Sequence, residues 1–261
     1  MGSADLHVHT DAGDGLDSID TILRYVEAHT DLDVIAITEH DSLAVAHRAR
    51  EVWARGSYRF DFVPGVEITT LEGHLVALYL EEPVPSLRRV EETIEAVHRQ
   101  GGVCLVPHPM SWLTRSIGPG TFQRLYASQS GPRFDAIELH NPSPLARFSM
   151  AKARRLNEEL YGMPAVGSSD AHFTAAIGSG RTLFQGTSAA ALRTAFATSK
   201  LTGETRPYPS LRDVGLARTL SLPLVGLRAT PRQLGWRRTV WSFVSRYAPY
   251  RPTRREASHT S

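Results

Sequence analysis

At 261 residues, with a net charge of +2, 41% hydrophobic and 21% charged residues, the chain can bury one large α/β core, alone or with a small extension. No run of about 18 apolar residues occurs, so no membrane-crossing helix is expected, and the acidic, histidine-bearing start lacks the basic and apolar regions of a signal peptide. The single cysteine, Cys104 in VCLV, excludes an internal disulfide and a cysteine-based zinc site; it suits a buried, inert thiol in a reducing cytoplasm.

Short apolar runs alternate with longer amphipathic stretches up to residue 200. In chain order the expected strands are 4–9, 33–38, 62–68, 74–80, 102–108, 134–140 and 164–169. Between them, helical periodicity covers 18–29, 42–55, 86–100, 145–160 and 188–198. In the third of these, Leu87, Val90, Ile94 and Val97 recur at three- and four-residue spacing, and Gly101-Gly102 supplies a stop. Strands apolar on both faces, alternating with helices, point to a parallel sheet covered or closed by helices.

After residue 200 the rhythm is lost. Residues 201–261 hold eleven arginines against Glu204, Asp213 and Glu256, an excess of +8, which leaves 18 basic and 24 acidic residues in the first 200. We therefore divide the chain into an acidic barrel, 1–200, and a basic extension, 201–261. Within the extension 234–247 shows a helical pattern, and the last residues are expected to be disordered.

Residues able to bind metal collect at the ends of the apolar runs. His7 and His9 end the first, His40 closes the second, Glu67 the third and His108 the fifth, while Asp170 and His172 follow the seventh. In a parallel α/β barrel the C-terminal strand ends share one face, where active sites lie. Residues two apart on a strand project to one side, so His7/His9 and Asp170/His172 each form a two-pronged ligand. Imidazole and carboxylate without thiolate suit zinc, manganese or iron. With His40, Glu67 and Asp14 added, the donors exceed the needs of one ion, and Glu67 is the expected bridge between two. His29, His47 and His98 lie on expected helices and are read as surface or packing residues, and His140 as structural.

In order along the chain, DLHVHTDAGDG, ITEHD (37–41), PGVEI (64–68), PHP (107–109) and GSSDAH (167–172) resemble the polymerase and histidinol phosphatase (PHP) superfamily of metal-dependent phosphoesterases over about residues 3–186. The resemblance implies a distorted (β/α)7 TIM-like barrel, the PHP fold, with two or three divalent ions at its C-terminal mouth. Transferred motif by motif, it implies one ion on His7, His9, Glu67 and Asp170. It implies a second on Asp14, His40 and His172, and a third on Glu67 and His108 with His74. After the sixth strand Glu138, His140 and Asn141 compete for one further position. Glu39 stands where many relatives carry Asp. The helical insertion that some members carry between the Glu67 and His108 motifs is absent.

The implied reaction is hydrolysis of a phosphomonoester or phosphodiester: a nucleotide, a small phosphometabolite or a nucleic-acid end. A hydroxide bridging two ions would attack in line, and a third ion, or a protonated His172 or His40, would stabilise or protonate the leaving oxygen. Arg115, in the loop after His108, is a candidate phosphate clamp. Asp5 and Asp41 are candidates to fix imidazole tautomers, with the role of a strand-start or turn aspartate equally open. The competing class is a PHP barrel that binds metal or nucleotide for regulation without turnover. The principal ligand positions are all filled here, which favours the enzyme. For the basic tail, packing on the acidic barrel competes with contact to nucleic acid or to an anionic membrane surface through Trp236, Trp241 and Phe243. GxGxxG, GxxxxGK[ST], HExxH and GxSxG are all absent.

Overall fold

The computed structural model describes residues 1–127, 130–144, 146–215, 220–222 and 224–225. Nine strands make one sheet: β1 Gly2–Asp5, β2 Val34–Ile37, β3 Asp61–Thr69, β4 His74–Leu78, β5 Val103–Val106, β6 Ala136–His140, β7 Ala165–Gly167, β8 Gly180–Phe184 and β9 Leu201–Thr205. Their order is β7-β6-β5-β4-β3-β2-β1-β8-β9, and β7 also packs against β8 and β9 so that the sheet nearly closes on itself. Seven α-helices are found among the described residues: α1 Ile19–His29, α2 Leu43–Arg55, α3 Val90–Arg99, α4 Pro119–Ala127, α5 Arg147–Leu156, α6 Ala189–Ala197 and the short α7 Leu211–Val214.

All seven expected strands form, and the α/β barrel class holds. The expectation of a parallel sheet is corrected: β4 runs antiparallel to β3 and β5, and β8 antiparallel to β1 and β9. Burial on both faces does not distinguish direction, because β4 is covered inside and out like its parallel neighbours. The connection does distinguish it. Residues 70–73 between β3 and β4 are far too few for a parallel crossover.

Period-two alternation builds the layers. Val34, Ala36, Val76, Leu78, Val103 and Leu105 point into the barrel, and Leu192, Ala195 and Phe196 of α6 close it from below. Ile35 and Ile37 face outward under α1 and α2, while Leu75, Cys104 and Val106 face the opposite helical layer under α3 and α4. Cys104 is buried there, as expected. Gly167 and Gly180 permit closure, since a Cβ would lie 2.3 Å from the Arg181 carbonyl oxygen in the first case and 2.1 Å from the Ser168 carbonyl oxygen in the second.

Local chemistry sets the helix ends. Ser18 caps α1 by accepting from the Thr21 N–H, and Ser188 caps α6 by accepting from the Ala191 N–H. The third helix begins at Val90 instead of Ser86, because Leu87 N–H donates to the Thr69 carbonyl and Leu71 N–H to the Arg88 carbonyl, tying a bend at 86–88, with Leu87 at positive φ, to the end of β3. The sequence pattern did not disclose α4, β8 or β9. Since β9 completes the sheet, the folded unit continues into the stretch assigned to the basic extension. The helical pattern at 234–247 and the chain end lie outside the described residues. No helix among the described residues is long and apolar enough to cross a membrane.

Candidate metal centre

Strand geometry brings the motif residues to one mouth. His7 and His9 follow β1, with Val8 bridging to Ala171 so that the 170–172 segment lies alongside. His40 bridges to Glu67, which lies inside the long strand β3 and not at its end. Because β4 runs antiparallel, its first residue, His74, also opens on the mouth. The backbone there is held in uncommon conformations: Asp41, His108, Met110 and Asp170 all have positive φ without being glycine. Such residues persist only where their surroundings over-determine them.

Glu67 is the hub. Its Oε2 lies 3.1 Å from His7 Nε2, 3.3 Å from His9 Nε2 and 3.2 Å from His40 Nδ1. Its Oε1 lies 2.9 Å from His74 Nδ1 and 3.0 Å from His108 Nε2. Asp170 Oδ1 is 3.5 Å from His7 Nε2 and 3.4 Å from His9 Nε2. Farther out, Asp14 Oδ2 sits 3.3 Å from both His40 Nε2 and His172 Nε2, with Asp14 Oδ1 3.4 Å from His9 Nδ1. The candidate ligands His7, His9, Asp14, His40, Glu67, His74, His108, Asp170 and His172 thus form one continuous cluster. Glu67 is fully buried, whereas the His40 and His172 side chains keep 17% and 27% exposure, so the cluster has a dry floor and a wet rim.

This donor set fits cations. His7 Nε2 and His9 Nε2 approach to 3.1 Å, a contact that accepts a proton on only one side. Asp14 Oδ1 and His74 Nδ1 are buried without a hydrogen bond of acceptable angle, although His74 Nδ1 stands close to Glu67. Donors about 2.0–2.2 Å from a shared tetrahedral centre would be roughly 3.3 Å apart, close to the separations found here. Within the cluster, four of the five groups among the described residues that are close enough to share an ion are found: His7/His9/Asp170, His7/Glu67/His108, His40/Glu67/His74 and His9/Asp14/His40/His172.

The electrostatics are those of cations and anions crowded out of water. Burial pulls the His7 and His9 pKa values down, but the carboxylates reverse this, Glu67 and Asp170 chiefly for His7 and Asp14 for His9; both end well above the ordinary range. His40, against the same burial penalty, is raised to about 9 by Glu67 and Asp14. Burial would raise the Glu67, Asp14 and Asp170 carboxyls, yet the surrounding imidazoles hold all three below their usual range. His74 goes the other way: burial lowers it in spite of Glu67.

Behind the imidazoles stands a supporting layer that the sequence disclosed only in part. Glu138 Oε1 is 3.3 Å from His7 Nδ1, and its Oε2 accepts from His108 N–H at 2.8 Å and Asn141 Nδ2 at 2.8 Å. It also accepts from Ser168 Oγ. Of the three residues competing for the position after the sixth strand, Glu138 faces the cluster and Asn141 holds it, while His140 packs against Gly203. Glu39 lies 3.4 Å from His9 Nδ1 and accepts from Thr10 N–H and Oγ1. His108 Nδ1 is 2.9 Å from Ser116 Oγ.

Of their two expected roles, Asp5 and Asp41 take the structural one and accept from backbone and hydroxyl groups instead of imidazoles. Asp5 accepts from the backbone N–H groups of His7, Ser169 and Gly178 and from Ser169 Oγ, and burial raises its pKa to about 6. Asp41 accepts from Thr69 N–H and Oγ1. Both brace the loops that carry ligands. Arg115 Nη2 donates to the Thr70 carbonyl, and the Arg115 carbonyl accepts from His74 N–H, which ties that loop to the rim.

A barrel-like sheet with a histidine–carboxylate cluster at its mouth defines the class, and the comparisons agree with it. A family model described as PHP-associated matches residues 150–200. An uncharacterised protein of Methanocaldococcus jannaschii is 31% identical over 130 residues, 46% of this chain and 74% of that protein. The 5′-3′ exoribonuclease Rnm of Salmonella typhimurium is 39% identical over 89 residues, but these span only 32% of this chain and 30% of Rnm. Among solved structures, a two-domain protein from Bacteroides vulgatus containing a predicted PHP-like metal-dependent phosphoesterase superposes with a TM-score of 0.61 at 21% identity, over 78% of this chain and 64% of that one. The chain belongs to the PHP superfamily.

Proposed function

We propose that the chain is a metal-dependent phosphoesterase, hydrolysing a phosphomonoester or phosphodiester of a nucleotide, small phosphometabolite or nucleic-acid end. One observation carries the reading. A single buried carboxylate, Glu67, faces five imidazoles, with Asp14 and Asp170 beside them. The residue assignment is that of the motifs. His7, His9, Glu67 and Asp170 would hold one divalent ion, Asp14, His40 and His172 a second, and Glu67 and His108 with His74 a third; manganese, zinc and iron all suit these donors. The partial match to an exoribonuclease supports phosphoester chemistry on nucleotides.

Bound divalent ions supply Lewis acidity, lowering the pKa of water towards neutrality and neutralising charge on phosphoryl oxygens. The chain's own groups do the rest. Glu67 offers Oε2 to the His7/His9/His40 side and Oε1 to the His74/His108 side, so one carboxylate can join neighbouring ions. The Asp170 carbonyl accepts from His172 Nδ1–H at 2.9 Å, which directs Nε2 towards Asp14. His172 and His40, at the wet rim, are placed to pass a proton to the leaving oxygen. Arg115, with Nη2 committed to Thr70, adds positive charge there.

The test is a screen of metal-reconstituted protein against small phosphomonoesters, nucleotides and 5′-phosphorylated oligonucleotides, with elemental analysis of the same sample. Two or more ions per chain and turnover of at least one ester are expected. Asp170→Ala should abolish turnover and leave the fold intact by circular dichroism. Unchanged turnover in that variant, or fewer than one ion per chain, would overturn the assignment.

A further inference from the structure

Beside the cluster lies an open cleft of about 450 Å³, whose lining includes Asn141, Pro142, Met150, Arg154, Thr205 and Tyr208. It is within the range of small-molecule sites, roughly 300–1,000 Å³. Two links join it to the metal centre. On one side Asn141 donates to Glu138, which in turn reaches His7. On the other the Tyr208 ring packs edge-on against Phe173, at 6.1 Å between centroids, three residues past Asp170. Burial pushes the Tyr208 hydroxyl up to about 12, and the Asp170 carboxylate adds to the shift.

The lining selects its occupant. No lining residue is acidic, so the cleft does not suit a cationic group. Arg154 spends Nε and Nη2 on the Leu139 carbonyl, at 3.1 and 2.8 Å, which fixes the guanidinium plane. Among the described residues Arg154 Nη1 and the Tyr208 hydroxyl have no hydrogen-bond partner, so two donors meet whatever enters. Met150, Pro142 and the Tyr208 ring offer apolar surface to a flat group.

We infer that this cleft is the leaving-group subsite, binding a nucleoside whose base lies against Met150 and Tyr208 and whose acceptor atoms meet Arg154 Nη1 and the Tyr208 hydroxyl. The inference rests on the phosphoesterase reading and makes Tyr208, carried just beyond β9, a specificity residue. The substrate is then a nucleotide or nucleotide end instead of a small sugar or polyol phosphate.

The test uses the full-length, metal-loaded protein with Tyr208→Phe, which keeps the ring on Phe173, and Arg154→Gln. Two substrates are compared, a nucleoside monophosphate and glycerol phosphate, whose leaving group is too short to fill the cleft. Losing one hydrogen bond should raise KM for the nucleotide about 2- to 10-fold per variant, with kcat and the glycerol phosphate KM within about twofold of wild type. Equal effects on both substrates, or none, would overturn the inference. A second readout needs no turnover: binding of the phosphate-free nucleoside, followed by saturation-transfer NMR. Binding by wild type that is lost in the double variant supports the subsite even where no ester is hydrolysed. Absent or unchanged binding rejects it, whatever becomes of the phosphoesterase reading.

Discussion

The two edges of the barrel handle charge in opposite ways. At the edge where the parallel strands begin, just before β2 and β6, two carboxylates find direct counter-ions. Arg181 Nη1 and Arg206 Nη2 close on Asp31 at 2.8 and 3.1 Å, and His98 Nε2 meets Asp135 at 2.8 Å. Asp135 also accepts from Cys104 N–H, so the His98/Cys104/Asp135 group, though close enough to share an ion, is already satisfied. At the mouth, imidazole faces imidazole, one carboxylate is divided among five partners, and Asp14 Oδ1 and His74 Nδ1 lack a well-aligned hydrogen bond. Charge that completes its own pairs serves the fold. Charge that leaves protons without a good position is arranged for cations supplied from outside.

The largest effect expected from breaking this contrast falls on Glu138. Glu138→Gln keeps the shape and the contacts to Asn141 and His108 but removes the charge behind His7 Nδ1. Apparent affinity for the first ion should drop about 10- to 100-fold, as for other carboxylates that orient a ligating histidine. Metal titration monitored by calorimetry checks this, and added metal should restore turnover. A variant that binds metal as tightly as wild type would reduce Glu138 to a backbone brace.

The mouth was legible in the sequence because its residues come in short motifs with period-two spacing, and a strand turns that spacing into a shared direction. His7/His9 and Asp170/His172 meet through the Val8–Ala171 bridge for this reason. His74 was reached only through family resemblance; its physical reason, the reversal of β4, lay in the four-residue β3–β4 connection. Glu138 was one of three competitors because AIELHN offers three polar residues within four positions, and only the β6–β7 register decides which faces inward. The ends of the barrel were hidden for a different reason. GRTLF and LTGET, the sequences of β8 and β9, are short and mixed in polarity. They are strands because β1 and β7 hold them there.

The pH response offers an intermediate effect. In metal-free protein His40 has a pKa of about 9 against 6.5 for the free side chain, so its ion pairs stabilise the fold fully below 6.5 and are lost as pH rises through 9. Glu67 and Asp14 are lowered, so their share is present above their ordinary values, near 4, and lost on acidification. The Tm of metal-free protein should peak between about pH 5 and 6.5 and decline towards pH 9, by a few degrees for a loss on the order of 2 kcal/mol. Metal-loaded protein should not decline over that alkaline range, since its imidazoles no longer carry those protons. Parallel alkaline declines with and without metal would mean that the ions do not occupy the histidine cluster.

The smallest effect belongs to the opposite edge and sharpens the comparison from that side. The Arg181 and Arg206 guanidinium groups, against a slight burial penalty, hold the Asp31 carboxyl down to about 2. Its stabilisation is therefore present above about pH 4 and lost as pH falls towards 2. Asp31 is largely exposed at 62%, so solvent screening cuts the value of the pairs, and Asp31→Asn should cost no more than about 1 kcal/mol at pH 7. The cost should reach the upper end of that range, because Arg181 is buried and would then face only neutral acceptors, the Gly178 carbonyl and the new amide. Metal content should not change. A loss of bound metal in Asp31→Asn would show that Arg181, through Gly178 and the Asp5–Ser169 contact, transmits strain to Asp170, and that the two edges are mechanically one.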